Sequence, residues 1–510
     1  MTLKYFILSI FILLTSDVIS QKRNNIWCFG DSAGIDFNGP TPVTFKTSVR
    51  SRGSCVSIAD TSGSLLFYAH TSYIPLWMQG YTKLTAIWNS GNQLMQNGDS
   101  IVGNGWYKEL IIIPKPTSDS EFYLFTAGVT AIHGFYYSLI NMSFNNGLGK
   151  VVQKNVQLQG TSFLANDGLA AVKHGNGRDW WVIVRNWSNS NNKYYFYLVT
   201  PAGVALHHTE NIGDSLLAGF FRIEPSKSGE KIACLSNRGM TAIYDFDRCS
   251  GYLSNELLIE HDESNANLFP WYDDCVFSLN ENLLYVSKVA SSSTDTMNYV
   301  FQYHLNDINP KLTRDTLFSL GPPVLGGLLE LAPDNKVYFS CWYVPGAAFY
   351  YPYPDSAWNQ YNMNLSVINY PDSMGTACDF QPFSFYLGGS RTYSGLPNNP
   401  NYELKADSGS MCDTLTVGVA HNEFSNLNTE MFVFYHPDWQ TVFINAQKLK
   451  GKKAILAIYN ITGQQVLKTE MKVTDGYLTY DFHTNGLAEG MYLVSIQTER
   501  EKLTVKFIKN

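Results

Sequence analysis

Gly30-Asp31-Ser32-Ala33-Gly34 is the first stretch whose residue types could do chemistry. It matches the Gly-x-Ser-x-Gly pattern, in which a serine on a strained strand-to-helix turn presents its hydroxyl as a nucleophile. The residues after it, Ile35 to Pro40, read as strand and turn with no helix, so Ser32 is given no catalytic role. Asp273 and Asp274 begin a predicted strand and offer oxygen ligands for a cation. The bland reading of the same pair is a solvated turn. Asp245 and Asp247 share a strand face. The ten histidines are dispersed; His207 and His208 are adjacent, which on a regular strand sends them to opposite faces, away from a shared metal. There is no His-Glu-x-x-His, phosphate-binding loop or EF-hand loop. No catalytic residue, metal ligand or cofactor is therefore assigned. Asp followed by Ser or Thr and then an apolar residue or Thr recurs at Asp31, Asp99, Asp214, Asp295, Asp315, Asp355, Asp372 and Asp413. Average composition would give roughly one or two such triplets for this many aspartates.

The chain that must position these groups has 510 residues, 15% charged and 14% aromatic, with 39 Gly. An average soluble protein is about 25% charged. So low a charge and so much Gly exclude a coiled coil, and the aromatic content excludes a disordered chain. The net charge of −7 argues against nucleic acid as a partner, because phosphate binding needs a basic surface. Eight cysteines show no metal-ligand spacing. Cys234 and Cys249 are the candidate disulfide, across neighbouring strands of one hairpin. Buried free thiols are the alternative.

Residues 1–20 carry Lys4, an apolar run from Tyr5 to Leu14, and Val18 and Ser20 before a cleavage point. This reads as a secretory signal peptide, too short to span a bilayer as a helix, with the mature chain starting near Gln21. Loss of Lys4 and Asp17 leaves the net charge unchanged, and no mature transmembrane segment is expected.

From 50 to 370 a pattern recurs: a short apolar run, a Gly/Asn/Asp/Pro turn, then an alternating apolar run. The second runs centre on Phe67, Leu124, Val182, Ala233, Val286 and Phe339, at steps of 57, 58, 51, 53 and 53. About 50 residues is the length of a four-stranded propeller blade. The fold class is thus all-β: a β-propeller over 21–390, seven blades favoured with six or eight as alternatives. The seventh is expected from N-terminal strands pairing with strands of 377–390. The Pro-, Asn- and Ser-rich stretch 391–410 opens a linker over 391–425, with 411–419 as one strand. Residues 426–510 hold about seven short strands, which predicts a small Ig-like β-sandwich.

Within that block, Ala457 to Met471 and Gly486 to Asn510 resemble the C-terminal sorting domain of type IX secretion cargo in Bacteroidota. The matching residues are Tyr459, Asn460 and Gly463, then Leu487, Gly490, Met491 and Tyr492, then Lys506, Phe507 and Lys509. The family's opening Tyr-Pro-Asn-Pro turn is reduced here to Tyr435 and Pro437. The resemblance implies export in two steps, the type IX machinery as partner, commonly removal of the domain, and a secreted or surface-tethered product outside the outer membrane. Stretches such as Asn25 to Gly39, Tyr244 to Asn255 and Gly326 to Tyr338 are similar to propeller regions of large Bacteroidota surface proteins; there the segment holding Asp245 and Asp247 is a blade turn. The Asp-Ser/Thr triplets resemble the periplasmic O-glycosylation acceptor of the same group, with Ser32, Ser100, Ser215, Thr296, Thr316, Ser356, Ser373 and Thr414 as acceptors.

A propeller hosts binding and catalysis alike, so the fold alone does not choose. The expected function is a non-enzymatic surface or secreted module binding a protein or glycan on the propeller face. Trp77, Trp88, Trp106 and Trp358 are candidates to stack on sugars. The alternative is a hydrolase or lyase with its site at the channel mouth. A subunit of a larger surface assembly is a third reading.

Overall fold

The fold is that of a computed structural model, which describes residues 21–72, 85–103, 107–128, 133–186, 191–216, 220–261, 271–289, 296–344, 353, 356–413, 430–436, 440–460, 463–474, 476–500 and 502–509. The signal-peptide reading falls outside them, as do Trp77, Trp106, Asp295, Asp355, Pro437 and Thr414. Among the described residues there are 33 strands and no α-helix.

Alternating Val, Ile, Phe and Tyr form strands where the sequence predicts them, because branched and aromatic side chains fit a pleated, half-buried surface. Blade one is β1 (Ile26–Phe29), β2 (Asp31–Asp36) and β3 (Val43–Arg50). Blade two is β4 (Cys55–Ala59), β5 (Leu65–Thr71) and β6 (Thr85–Asn89). Blade three is β7 (Leu110–Pro114), β8 (Glu121–Gly128), β9 (Gly134–Asn141) and β10 (Lys150–Gln159). Blade four is β11 (Ala170–Lys173), β12 (Trp180–Arg185), β13 (Asn191–Thr200) and β14 (Gly203–Leu216). Blade five is β15 (Phe221–Pro225), β16 (Lys231–Ser236), β17 (Thr241–Phe246) and β18 (Leu253–Glu260). Blade six is β19 (Tyr272–Phe277), β20 (Leu283–Lys288), β21 (Asn298–His304) and β22 (Asp315–Leu320). Blade seven is β23 (Val324–Leu331), β24 (Val337–Tyr343), β25 (Asn364–Ile368) and β26 (Phe380–Tyr386).

Each blade is an antiparallel meander. The six run centres read from the sequence lie on β5, β8, β12, β16, β20 and β24, the second strand of blades two to seven, and all are buried. The first strands β1, β4, β7, β11, β15, β19 and β23 contact one another in that order around the ring axis. The apolar core lies in the seams between blades. One cluster joins blades two, three and four through Phe67, Ile112, Leu124 and Trp180, and another joins seven, one and two through Tyr338, Trp27 and Cys55.

The count of seven stands, but closure differs from the expected strand pairing. β26 pairs with β25, and β1–β3 form a three-stranded sheet of their own. Blades one and seven meet by aromatic packing, with Tyr338 edge-on to Trp27 at 5.8 Å and to Phe37 at 5.7 Å.

The C-terminal part is a sandwich. One sheet is β27 (Glu430–His436), β28 (Thr441–Gln447) and β31 (Leu478–His483). The other, in order across the sheet, is β30 (Gln465–Lys472), β29 (Lys453–Asn460), β32 (Gly490–Thr498) and β33 (Lys502–Lys509). Tyr492, Val494, Ile496 and Phe507 point into its core, as the alternation predicts.

Residues 391–410 do not behave as a surface linker. Residues 390–398, 400 and 402 are buried, and the segment runs along the ring axis as a strap. The strap begins at the blade-seven/blade-one seam, where the Asp31 and Arg391 backbones form an isolated bridge. Farther along it is tied to blade five by the Cys249–Cys412 disulfide. The stretch expected as a strand at 411–419 is a turn up to Asp413; its remainder lies outside the described residues.

Candidate functional site

The inner strands start with charged residues in a chain that has few. Lys108 precedes β7, Asp167 precedes β11, Arg222 and Glu224 lie on β15, Asp273 and Asp274 on β19, and Glu330 on β23. The ring brings them together at the axis. Lys108, 1% exposed, places its ammonium 2.9 Å from Glu224, 3.2 Å from Asp274 and 3.7 Å from Glu330. Arg222, equally buried, reaches Asp167 at 3.0 Å, Asp273 at 3.4 Å and Asp274 at 4.0 Å. Its guanidinium also lies 4.7 Å from the Tyr107 ring centroid.

Asp273 and Asp274 thus sit on an inner strand, as expected, but the cation they hold belongs to the protein. Burial lowers a lysine's pKa; here the carboxylates of Asp274, Glu224 and Glu330 outweigh that and hold Lys108 raised. Five carboxylates surround Lys108 and Arg222, and Arg52 adds positive charge toward Asp273. Burial pushes Asp273 up to about 6 and Glu224 up to about 7. No group of three or more His, Cys, Asp or Glu among the described residues has metal-binding geometry.

Glu109, fully buried nearby, accepts a hydrogen bond from the Tyr107 backbone N–H at 2.8 Å, and burial pushes it up to about 7. Its folded pKa therefore lies above the unfolded value near 4.3, and the folded state holds the extra proton between those limits. That contribution is fully present below about pH 4 and is lost as pH rises through about 7. Glu109→Gln should gain stability relative to the parent as pH rises from 4.5 to 7, measured by urea unfolding at a series of pH values. A difference independent of pH would show that Glu109 is ionised throughout.

The strap fills the axis beside this cluster and makes hydrogen bonds to every blade. Arg391 pairs with Asp31 of blade one at 2.6 Å. The Gly395 and Asn398 amides donate to Arg52 and Cys55 carbonyls at the start of blade two. The Asn398 side-chain amide shares its hydrogens among the carbonyls of Leu110 and Leu169 at 2.9 Å and Lys108 at 3.2 Å, reaching blades three and four. Tyr402 donates to Ile112 at 2.8 Å and its carbonyl accepts from Lys173 at 2.8 Å. Asn401 donates to Lys227, and Arg248 to the Lys405 carbonyl, in blade five. Ser394 lies 3.5 Å from Asp273 of blade six, and its carbonyl accepts from Leu328 of blade seven.

Composition explains why a linker-like sequence sits here. Backbone groups turned toward the axis must be paired, and Asn and Ser side chains pair them where apolar ones would not. The close approach selects glycine: a Cβ on Gly395 would lie 2.0 Å from the Gly53 Cα, and one on Gly327 2.4 Å from the Ser394 carbonyl. Beside the strap a cavity of about 440 Å³ opens, lined by Glu224, Glu330, Lys227, Asn335 and Tyr402 among others.

The other sequence candidates fall elsewhere. Ser32 lies on β2 with strand, not helix, after it, and its carbonyl accepts from Ser390 at 2.9 Å. Asp247 caps a turn, accepting from the Cys249 amide and the Ser250 hydroxyl. His207 and His208 do not point apart: a bulge between Phe196 and Tyr197 pairings shifts the register, and their Nδ1 atoms are 2.9 Å apart. Both rings meet Trp181 edge-on. Trp88 stacks on His70, while Trp358 is 46% exposed beneath the Arg391 guanidinium.

The Cys234–Cys249 pairing is incorrect. Strand register puts Cys234 opposite Ala242, a buried thiol beside the Tyr194 hydroxyl, whereas Cys249 lies past the end of that hairpin and bonds Cys412 with Cα atoms 5.5 Å apart. Of the O-glycosylation acceptors, Ser100, Ser215, Thr296, Thr316 and Ser356 are exposed, and Ser32 and Ser373 are half-buried. Sequence patterns do not mark Lys108, Arg222, Asp167, Glu224, Glu330, Asn398 or Cys412. The one usable signal is charge directly before apolar runs, as in Lys108-Glu109 before Leu110 to Ile113.

In the sandwich the motif residues hold the last strands together. Asn460 and Gly463 form the β29–β30 turn, the Asn460 side chain accepting from the Gln464 amide at 2.9 Å. The Tyr492 ring stacks on Phe507 at 5.2 Å. Lys509 places its ammonium 2.8 Å from the Leu487 carbonyl and 3.2 Å from that of Thr484. Leu487 packs against the core, Gly490 opens β32, Tyr459 is half-buried, and Met491 and Lys506 face outward.

These sheets define a seven-bladed β-propeller followed by an Ig-like β-sandwich. Residues 433–510 match the family described as a secretion system C-terminal sorting domain, which contains all ten motif residues. The chain therefore ends in a type IX sorting domain, which marks it as secreted or held at a cell surface. No curated protein matches the chain. Solved structures with a similar outline include a functionally unknown protein from Desulfotomaculum acetoxidans, at 12% identity and TM-score 0.37 over 74% of this chain and 99% of that one. The Dos1 propeller aligns at 12% identity and TM-score 0.40 over 74% and 88%. The Cps50 (Swd1) propeller domain from Myceliophteria thermophila aligns at 11% and 0.29 over 57% and 94%.

Proposed function

We propose that this is an exported, non-enzymatic module of a Bacteroidota cell surface, carried across the inner membrane by residues 1–20 and the outer membrane by the sorting domain. Its partner, a protein or glycan, binds the blade tops and outer strands. The observation that carries this reading is the filled axis: the strap occupies it, and the channel carboxylates already hold Lys108 and Arg222. Asp273 and Asp274, the acids a propeller enzyme or metal site at the axis would draw on, are thus engaged by the protein's own cations. The exposed Asp-Ser/Thr loops carry O-linked glycans, which suits a face turned to the medium.

The test is a glycan array and a surface-protein pull-down with purified protein starting at residue 21, with and without chelator. A saturable, chelator-independent hit with no turnover is the expected result. Conversion of the ligand, or loss of the hit on chelation, would sink the reading. Intact mass of native material should exceed that of the bare chain; an unmodified mass would remove the glycan part alone.

A further inference from the structure

We propose that the strap, rather than strand exchange, closes the propeller ring, and that the Cys249–Cys412 disulfide is a redox latch that keeps it seated. Among the described residues blades one and seven share no strand, so side-chain packing alone joins them directly there. The strap spans that seam through Arg391 and Asp31 and then bonds to each remaining blade, so removing it takes away a tie common to all seven.

Its grip is uneven. Up to Tyr402 it is buried except for half-buried Asn399 and Asn401, but Glu403, Lys405, Ser408 and Gly409 are exposed. There the backbone ties are the Asp407 amide to the Gly175 carbonyl and the Lys405 carbonyl to Arg248. Such a tail frays readily, and fraying would propagate toward Asn398. The disulfide stops it by fixing Cys412 to the turn after β17. Any pull from the sorting domain then falls on blade five instead of on the strap. Both cysteines are half-buried, so a reductant reaches them.

The chemistry balances as thiol–disulfide exchange. On closing, the Cys249 and Cys412 thiols give up two protons and two electrons to a disulfide-bearing acceptor, an oxidised oxidoreductase or small-molecule disulfide, which leaves as two thiols. On opening, a dithiol attacks one sulfur, its second thiol resolves the mixed disulfide, and both cysteines return as thiols.

Amide hydrogen exchange on the full chain from residue 21 tests both parts. In oxidised protein the Gly395, Asn398 and Asp407 amides should be protected. Reduction with dithiothreitol should speed Asp407 by about tenfold or more, with a smaller rise at Gly395 and Asn398 and none at Val286 in blade six. Cys412→Ser should reproduce this without reductant; if it fails to fold, reduction of folded parent protein still decides. Unchanged exchange over 395–407 in the reduced protein would overturn the latch. Asn398→Ala should speed exchange at Trp27 and Tyr338 on the two sides of the seam. A rise confined to the strap would overturn its role in closure.

Discussion

Lys108→Ala is expected to destabilise the propeller by about 3–5 kcal/mol, the range for removing one partner of a buried ion pair. Among the described residues Asp274, fully buried, then pairs only with Arg222, at 4.0 Å, and Glu224 and Glu330 lose the cation they share. The attraction lost is large because little water reaches the axis to screen it. The loss should grow with pH. Without the ammonium, which lowers both, Glu224 and Glu330 hold their protons more tightly in the folded state, so the variant falls further behind the parent as pH rises from 5 to 8. Asp274→Asn in the same chain should return part of the loss by removing one stranded charge. Urea denaturation of the three proteins at pH 5 and pH 8 decides; a loss under about 1 kcal/mol, typical of a solvated ion pair, would mean the cluster is open to water.

Gly395→Ala is expected to cost about 2–3 kcal/mol, the upper part of the overpacking range. The new methyl would sit 2.0 Å from the Gly53 Cα and 2.5 Å from its carbonyl oxygen, contacts with backbone that no rotamer change relieves. Gly409→Ala, in the exposed end of the strap with nothing within 4 Å of the added carbon, serves as control; its φ of +83° costs the variant a strained backbone of its own, about 1 kcal/mol. Thermal unfolding of both distinguishes a strap in the axis from one on the surface. Equal shifts at the two positions would remove it from the axis.

The blades were legible because each declares itself locally. A turn rich in Gly, Asp or Asn precedes a run such as Leu283 to Lys288, and strand pairing within a blade joins neighbours in sequence. The sandwich was legible for the same reason, and its motif residues prove to be those that tie the last strands: the Asn460 turn, the Tyr492–Phe507 stack and the Lys509 cap. What escaped depends on distant partners. Lys108 and Glu224 are 116 positions apart, and neither has a local pattern that marks it as buried. The strap escaped because a polar axis and a solvated linker favour the same residues, Asn, Ser, Pro and Gly. The paired histidines escaped because one bulge, invisible in an alternating pattern, turns His207 and His208 to the same side.

The strap also sets an order of assembly. The cord lies between the last blade and the sandwich in sequence, so it can be laid down only after the last blade strand has been made. With the strap as the proposed closing tie, the seam between the first and last blades is fastened last, when residues 390–402 settle along the axis. Chain synthesis delivers that cord only after all the blades. A chain cut short before residue 390 would hold every blade yet lack their common tie, an open horseshoe and not a wheel.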